Sequence, residues 1–583
     1  MTPAAPWPSL YWLPVTPLNC RHCLVPHTGL HTRQQPQVSP SKNSCQFLHG
    51  SIHREPENFK VLRSSVPYCL VVALPLLLLL SPVPVDAAAE FTVYRLQQYD
   101  LHGSAHGQHP LSVDSLPLAV SGVLRRCSSC CRPTSPLSPR EHHMLVREVE
   151  AAMLEADTQM AVYLAHETQE LLHIYESVRT ATNTDSATSA AAALMSSLST
   201  DGYQIVVGGS QSKLVPDMTI ANIQGKLSGY GVEEQLPTIA IVAHYDAFGA
   251  APELAWGADS NGSGVVVLLE LARILSRLYA SPRTHPRLNL AFLLSGGGYI
   301  NYQGSKRFLE DHLDASDSPL LSETYYTLCL DTLGSGDALR LHVSKRPKET
   351  SPGHSFYQAL EEEGSKAGLV VEMVHRKINL QEDTQAWEHE KYSMRRLPAF
   401  TLSRLQGPKT GERGSILDTR GHIDVAALTR NTEVVASALL RHIYNTSVDG
   451  IFDNGLGESC WKIDRQIDKR AVSEKSILSW LDLITSQPRS PQLLSGKNSP
   501  LVTTLHQILS RYTNEARITY LKADKRDPEW VFYDVTRASM AAYAVKPAAF
   551  DFLLTLGILA YLGVIYVFPP GGCLSPSRFL LLM

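Results

Sequence analysis

Thr238-Ile-Ala-Ile-Val-Ala-His-Tyr-Asp-Ala-Phe-Gly249 is the stretch from which the fold can be read. Its first six residues form an unbroken run without charge, the pattern of a strand buried on both faces of a parallel sheet. The run ends by delivering His244 and Asp246. A neutral imidazole is a good transition-metal ligand, and a carboxylate two residues on can orient its ring. Further along, Gly257-Ala-Asp-Ser-Asn-Gly-Ser-Gly264 makes a glycine-rich loop around Asp259. Val267, Leu268, Leu271, Leu275 and Leu278 then repeat at helical spacing, with Glu270, Arg273 and Arg277 off the stripe, which predicts an amphipathic helix. The loop therefore lies between a strand and a helix.

The same alternation continues. A second apolar strand over 288–294 runs into Ser295-Gly-Gly-Gly-Tyr-Ile-Asn-Tyr-Gln-Gly-Ser305, and a third, Tyr326-Thr-Leu-Cys-Leu-Asp-Thr-Leu-Gly334, presents Asp331. Gly414-Ser-Ile-Leu-Asp-Thr419 precedes an apolar helix over 425–443. Strands near 238, 289, 326, 339 and 399 with helices between them predict an α/β fold, a mostly parallel sheet flanked by helices, with its site at the carboxyl ends of the strands.

Together these segments resemble the M28 zinc aminopeptidases. His244 and Asp246 match the family's H-x-D step, 257–264 its G-A-D-D-N-x-S-G loop, and 330–334 its L-D-M-x-G strand end. Residues 298–305, anchored on Gly304 and Ser305, match E-E-x-G-x-x-G-S, and 414–419 match H-T-P-x-D-T. In the family, one metal is held by the histidine, the bridging aspartate and the strand aspartate. The other uses the bridging aspartate, the second glutamate and the late histidine, and the first glutamate is the general base. The resemblance therefore implies vestigial ligand positions at His244, Asp259 and Asp331, with Asp246 behind the histidine. Gly298 stands in place of the base, and Tyr299 and Gly414 in place of the second metal's private ligands. Glycine and an ordinary phenol cannot do a carboxylate's work in two-metal hydrolysis. His422, eight residues past Gly414, falls outside the motif. The expectation is a pseudo-aminopeptidase with no cofactor; one residual ion on His244, Asp259 and Asp331 stays open as an alternative.

Further segments, among them Trp387-Glu-His-Glu390, 395–403 and 522–534, narrow the resemblance to the nicastrin-related, catalytically inactive branch, over about 90–568. That branch implies an endoplasmic-reticulum membrane glycoprotein, single-pass type I with a luminal body, acting as scaffold and stabilising subunit. Its implied partners are the Nodal modulator protein, a small multi-pass membrane protein and a translocon and ribosome assembly for multi-pass protein biogenesis, with an antagonistic effect on Nodal signalling. An active zinc aminopeptidase, and a peptide- or lipid-binding module using the old cleft, remain the alternatives.

The rest of the chain sets the frame. Its 583 residues are 44% hydrophobic and carry a formal charge of -4, enough for a large core and without a basic stripe for nucleic acid. No G-x-x-x-x-G-K-[ST] or G-x-S-x-G order occurs. Residues 1–65 read as disordered or as an extension of the gene model, and 66–89, with the apolar run Cys69 to Leu80, as a signal peptide. An N-terminal luminal subdomain is expected over 90–200, incomplete near 127–140. The aminopeptidase-like domain follows over 201–450, a juxtamembrane helical unit over 451–546, a transmembrane helix at 552–568 and a short cytosolic tail at 569–583. Two sequons offer glycan acceptors, Asn445 and, more enclosed, Asn261. The pairs Cys20/Cys23 and Cys127/Cys130 match a redox pattern without its structural context.

Overall fold

The structure, a computed structural model, describes residues 10–15, 89–107, 118–119, 146–151, 154, 161–182, 202–208, 213–215, 217–232, 235–314, 321, 323–444, 472–496, 499–534, 536–545 and 548–567. The strands are β1 (Leu10–Val15), β2 (Ala89–Arg95), β3 (Gln98–Leu101), β4 (Ser104–Gly107), β5 (Leu118–Ala119), β6 (Ala161–His166), β7 (Gly202–Gly208), β8 (Leu214–Val215), β9 (Thr219–Leu227), β10 (Thr238–His244), β11 (Asn289–Ser295), β12 (Thr324–Leu330), β13 (Ala338–Val343), β14 (Val370–His375), β15 (Ala399–Ser403), β16 (Asn514–Lys522), β17 (Trp530–Tyr533) and β18 (Arg537–Val545). The helices used below are α1 (Gln169–Thr182), α2 (Gly262–Ala280), α3 (Gln303–Leu309), α4 (Pro352–Lys366), α5 (His389–Met394), α6 (Val425–Tyr444), α7 (Glu474–Ile484), α8 (Pro500–Tyr512) and α9 (Ala548–Val567).

The main sheet has eight strands in the order β14-β13-β15-β12-β10-β11-β9-β16. Its centre is parallel: β10 pairs with β11 on one side and β12 on the other, and β12 with β15. Every residue of β10 and β11 is buried, as the continuous apolar runs require of strands covered on both faces. The flanks β9, β16 and the β13-β14 pair run antiparallel to their inner neighbours, so the sheet, parallel in four of its seven pairings, is mixed at its flanks. Burying each Leu, Ile or Val of this core contributes about 1.5–3 kcal/mol. Local signals place the helices around it. Ser351 Oγ accepts from His354 N at the start of α4, with Pro352 in the first turn. Asp424 Oδ1 accepts from Ala426 N at 3.0 Å to start α6.

Three expectations need correction. Within 1–65, read as disordered or as an extension of the gene model, Leu10–Val15 forms β1, paired antiparallel with β6. Helix α2 is not amphipathic in the ordinary sense, because Glu270 is fully buried and Arg273 nearly so. Arg273 donates to Glu270 through Nε at 2.8 Å, and Trp480 Nε1 of α7 donates to the same carboxylate at 3.1 Å. This part of the polar face is thus covered by a later helix that satisfies it, while Arg277 stays exposed. Residues 451–546, read as a separate helical unit, contain α7 and α8 and then three strands. β16 joins the eight-stranded sheet beside β9, β17 joins the four-stranded sheet β4-β3-β17-β8, and β18 sits between β2 and β7 in the six-stranded sheet β1-β6-β2-β18-β7-β5. Period-2 burial in β17 and the long β16–β9 ladder outweigh the segment's polar composition.

Helix α9 lies where the sequence predicts an anchor and exposes Phe552, Leu554, Leu556, Ile558, Leu559 and Leu562. Among the described residues no helix is long and apolar enough to cross a membrane. Of the expected signal peptide, 66–88 lie outside the described residues and Ala89 opens β2; Asn445, the cysteines at 20, 23, 127 and 130 and the tail after 568 also lie outside them.

Candidate functional site

The parallel strands point their carboxyl ends at one edge of the sheet, and the motif residues gather there because each follows a strand directly. His244 closes β10, Asp331 follows β12, and Gly298 and Tyr299 follow β11. Asp259 reaches the same edge from the loop that starts α2. All three vestigial ligand positions are buried, with His244 1%, Asp331 3% and Asp259 7% exposed.

Each of them already has partners. Asp259 accepts from Gly334 N at 2.7 Å and Ser263 Oγ at 2.8 Å through Oδ1, and from Arg404 Nε at 2.9 Å through Oδ2. Asp331 accepts from Arg413 Nη2 at 2.8 Å and from the Thr332 hydroxyl. Both carboxylates therefore face a guanidinium counter-ion. Arg413 also donates to Tyr302 Oη at 2.7 Å and Ala386 O at 2.9 Å, and its guanidinium lies 4.7 Å from the Trp387 ring centroid. Burial disfavours the charge of Asp331, but Arg413 and His244 outweigh it and hold the carboxyl below its usual range.

His244 meets a different carboxylate. Its Nδ1 lies 3.4 Å from Glu388 Oε2, while Glu388 Oε1 accepts from Ser295 Oγ at 2.6 Å and Ser305 Oγ at 2.7 Å. Burial opposes protonation of the imidazole, yet Glu388, with Asp331 and Asp246 beyond it, raises its pKa. Asp246, expected behind the ring, is turned to the backbone. It accepts from Gly298 N at 2.8 Å and Tyr299 N at 3.4 Å, tying the β10 end to the β11 end.

Gly298 has no space for a side chain, since a Cβ there would fall 2.3 Å from His244 Cδ2. Tyr299 and Gly414, the two other positions the sequence singles out, lie close together. Gly414 has φ +81°, and a Cβ on it would lie 3.5 Å from Tyr299 Cε1 and 3.3 Å from Phe248 Cδ1. The Tyr299 ring stacks on Phe248 at 5.4 Å and its hydroxyl meets Ser260 Oγ. Burial raises the phenol further from ionisation, which removes it as a base near neutral pH. The two residues fit one another: the ring fills the ground beside a backbone that glycine adopts without strain.

Asn261 is fully buried, and its amide nitrogen donates to Leu330 O at 2.8 Å and His244 O at 3.1 Å. A glycan has no room on that nitrogen, contrary to what the sequon alone suggests. His422 sits in a 3-10 turn with Nδ1 3.2 Å from the Thr419 hydroxyl, a pairing within its own turn.

Three further residues complete the site: Asp418 is the aspartate of the 414–419 motif, while Glu150 and Arg489 carry no sequence signal of their own. Asp418 accepts from Asp259 N at 2.9 Å and Ser260 N at 2.7 Å; burial, then the neighbouring Asp259, pushes its pKa up to about 7. Glu150, from the N-terminal part, accepts from Ala250 N at 2.9 Å and Ser415 Oγ at 2.7 Å, joining the loops after β10 and before α6. Arg489, fully buried, donates to the carbonyls of Tyr245, Trp256 and Gly257, and burial lowers its pKa to about 10. For zinc, the donor chemistry is unfavourable: a metal would have to displace Arg404 from Asp259 and Arg413 from Asp331. Among the described residues no group of three or more His, Cys, Asp or Glu is placed to hold a metal.

Sequence comparison bears on this edge directly. The model of Peptidase family M28 matches residues 222–439, which include all the strand-end positions above, so the chain carries an M28 peptidase-like domain. The human protein named BOS complex subunit NCLN is 45% identical over 536 residues, covering 86% of this chain and 93% of its own length. The Danio rerio protein of that name is 42% identical, at 87% and 94% coverage, and a Caenorhabditis elegans protein named Nicalin is 28% identical, at 82% and 89%. The chain belongs to the nicalin family. Among solved structures, the gamma-secretase component nicastrin aligns over 66% of this chain and 78% of its own, at 10% identity and a TM-score of 0.44.

Proposed function

We propose that this protein is a non-catalytic scaffold, a stabilising subunit of the BOS complex in the endoplasmic-reticulum membrane. The observation that carries this reading is the exchange of metal chemistry for guanidinium chemistry. Asp259 and Asp331 are paired with Arg404 and Arg413, and the position of the family's general base is a glycine without space for a side chain. Two-metal hydrolysis requires a clamp of two ions and a base. A peptidase edge neutralised by arginines is a rigid structural wall instead.

The remaining parts follow from the same reading. In this reading helix α9 is the membrane anchor, engaging the bilayer through six exposed large apolar residues, Phe552, Leu554, Leu556, Ile558, Leu559 and Leu562. The body is luminal, with Asn445 as its glycan site, and the partners are the Nodal modulator protein and a small multi-pass membrane protein beside the translocon. Any antagonism of Nodal signalling is exerted through that assembly.

Metal analysis of the full chain in detergent, with hydrolysis of a panel of aminoacyl substrates in added zinc, tests the first part. We expect no stoichiometric metal and no turnover. Two bound zinc ions, with turnover abolished by His244→Ala, would overturn the reading. Affinity purification from membranes tests the second, by the presence or absence of those two partners.

A further inference from the structure

Three strand ends on the far side of the main sheet bring together cations that are distant in sequence. Val343 at the end of β13 is in register with His375 at the end of β14, and also with Phe400 near the start of β15. Arg376 N donates to Val343 O at 3.0 Å, which fixes the two loops side by side. Lys345, Arg346 and Lys348 follow β13, Arg376 and Lys377 follow β14, and Arg396 precedes β15; all six are exposed. Strand neighbours are about 4.8 Å apart, so these loops span roughly 10 Å. None of the six makes a close ion pair among the described residues, although Arg376 acts through space on Glu382 and Glu390. The nearby Glu372 is taken by Arg340 and Glu382 by Lys409.

Two features mark the patch as more than a solvated face. Arg396, an arginine, has φ +65°, a left-handed conformation that suits glycine and strains most other residues. Two large apolar side chains stand exposed on the adjoining segments, Met394 at 49% and Leu380 at 76%. The chain as a whole is acidic, at -4, so a concentrated basic patch creates a local field opposite in sign to its surroundings.

We infer that this edge docks an acidic, extended polypeptide segment of a partner protein. Carboxylates would meet the six cations, and an apolar residue would cover Met394 or Leu380. A lipid surface is the other anionic candidate, and sheet geometry argues against it. β14 is the outer strand at one end of the sheet and β16 the outer strand at the other, seven spacings or about 34 Å away. The chain leaves the main sheet from β16, at the end away from the patch, on its way through β17 and β18 to α9, the proposed anchor. The patch owes nothing to the loss of catalysis, and its docking role stands or falls separately from it.

The test uses the full chain in phosphatidylcholine nanodiscs and a fluorescent polyglutamate peptide of about 16 residues, followed by anisotropy. Wild type binds, more weakly as salt rises from ~50 to ~150 mM. Lys345→Glu with Arg346→Glu weakens binding about tenfold or more, and Arg396→Gly weakens it about threefold without lowering the melting temperature. Failure of wild type to bind, or unchanged binding by the double variant, would overturn the proposal. Displacement of the peptide by short-chain phosphatidylserine at equal charge would overturn it in favour of lipid headgroups.

Discussion

The two edges of the main sheet handle charge in opposite ways. At the carboxyl ends of β10, β11, β12 and β15, His244, Asp259, Asp331, Glu388 and Arg489 are all buried and partnered. At the other end of β15, cations stand in water without close ion-pair partners among the described residues. The edge that carries the M28-like motifs is densely paired, while the exposed cations lie elsewhere. Motif retention and available chemistry have therefore separated.

That contrast can be broken most forcefully at Arg413. Arg413→Ala leaves Asp331 buried without its counter-ion, and we expect a loss of about 3–5 kcal/mol in urea unfolding. A loss below about 1 kcal/mol, the range of an ordinary surface pair, would mean that the pairing is not what holds this edge. Gly298→Ala should cost about 1–3 kcal/mol, because the added methyl overlaps His244; a neutral result would show that the ring moves aside freely.

His442 sharpens the comparison by its lack of a carboxylate. It packs 5.4 Å from the Tyr326 ring, and burial lowers its pKa to about 4, whereas His244 beside Glu388 is raised. A histidine with a depressed folded pKa stabilises above its unfolded value near 6.5 and loses that contribution as pH falls toward about 4. Relative to wild type, His442→Phe should therefore gain stability by up to about 1.4 kcal/mol per pH unit over that window. A difference independent of pH would refute the assignment. The smallest effect belongs to the exposed edge, where Arg396→Gly should raise stability by about 0.5–1 kcal/mol through relief of its backbone; destabilisation would mean that the arginine has a structural partner.

Much of the architecture was legible because it is written locally. The all-buried strands at 238–244 and 289–295 announce themselves by unbroken apolar runs, and His244, Asp259 and Asp331 arrive at one edge because each follows such a strand or its loop. What could not be read is pairing across distance. Arg413 and Asp331 are 82 residues apart, Arg404 and Asp259 145, and Trp480 and Glu270 210. Glu270 and Arg273 look like a solvated helix face until α7 covers them. Glu388 belongs to the segment 387–390, which supports the family resemblance, but nothing in that segment signals that two serines and His244 converge on its carboxylate.

Arg489 also imposes an order in time. It donates to the carbonyls of Trp256 and Gly257, 233 and 232 residues earlier in the chain, and lies beyond the stretch matched by the peptidase model. As the chain emerges from the ribosome, the loop around Asp259 is made long before the side chain that satisfies its carbonyls. The oldest-looking part of the molecule must wait, unfinished, for one of its last segments to be synthesised.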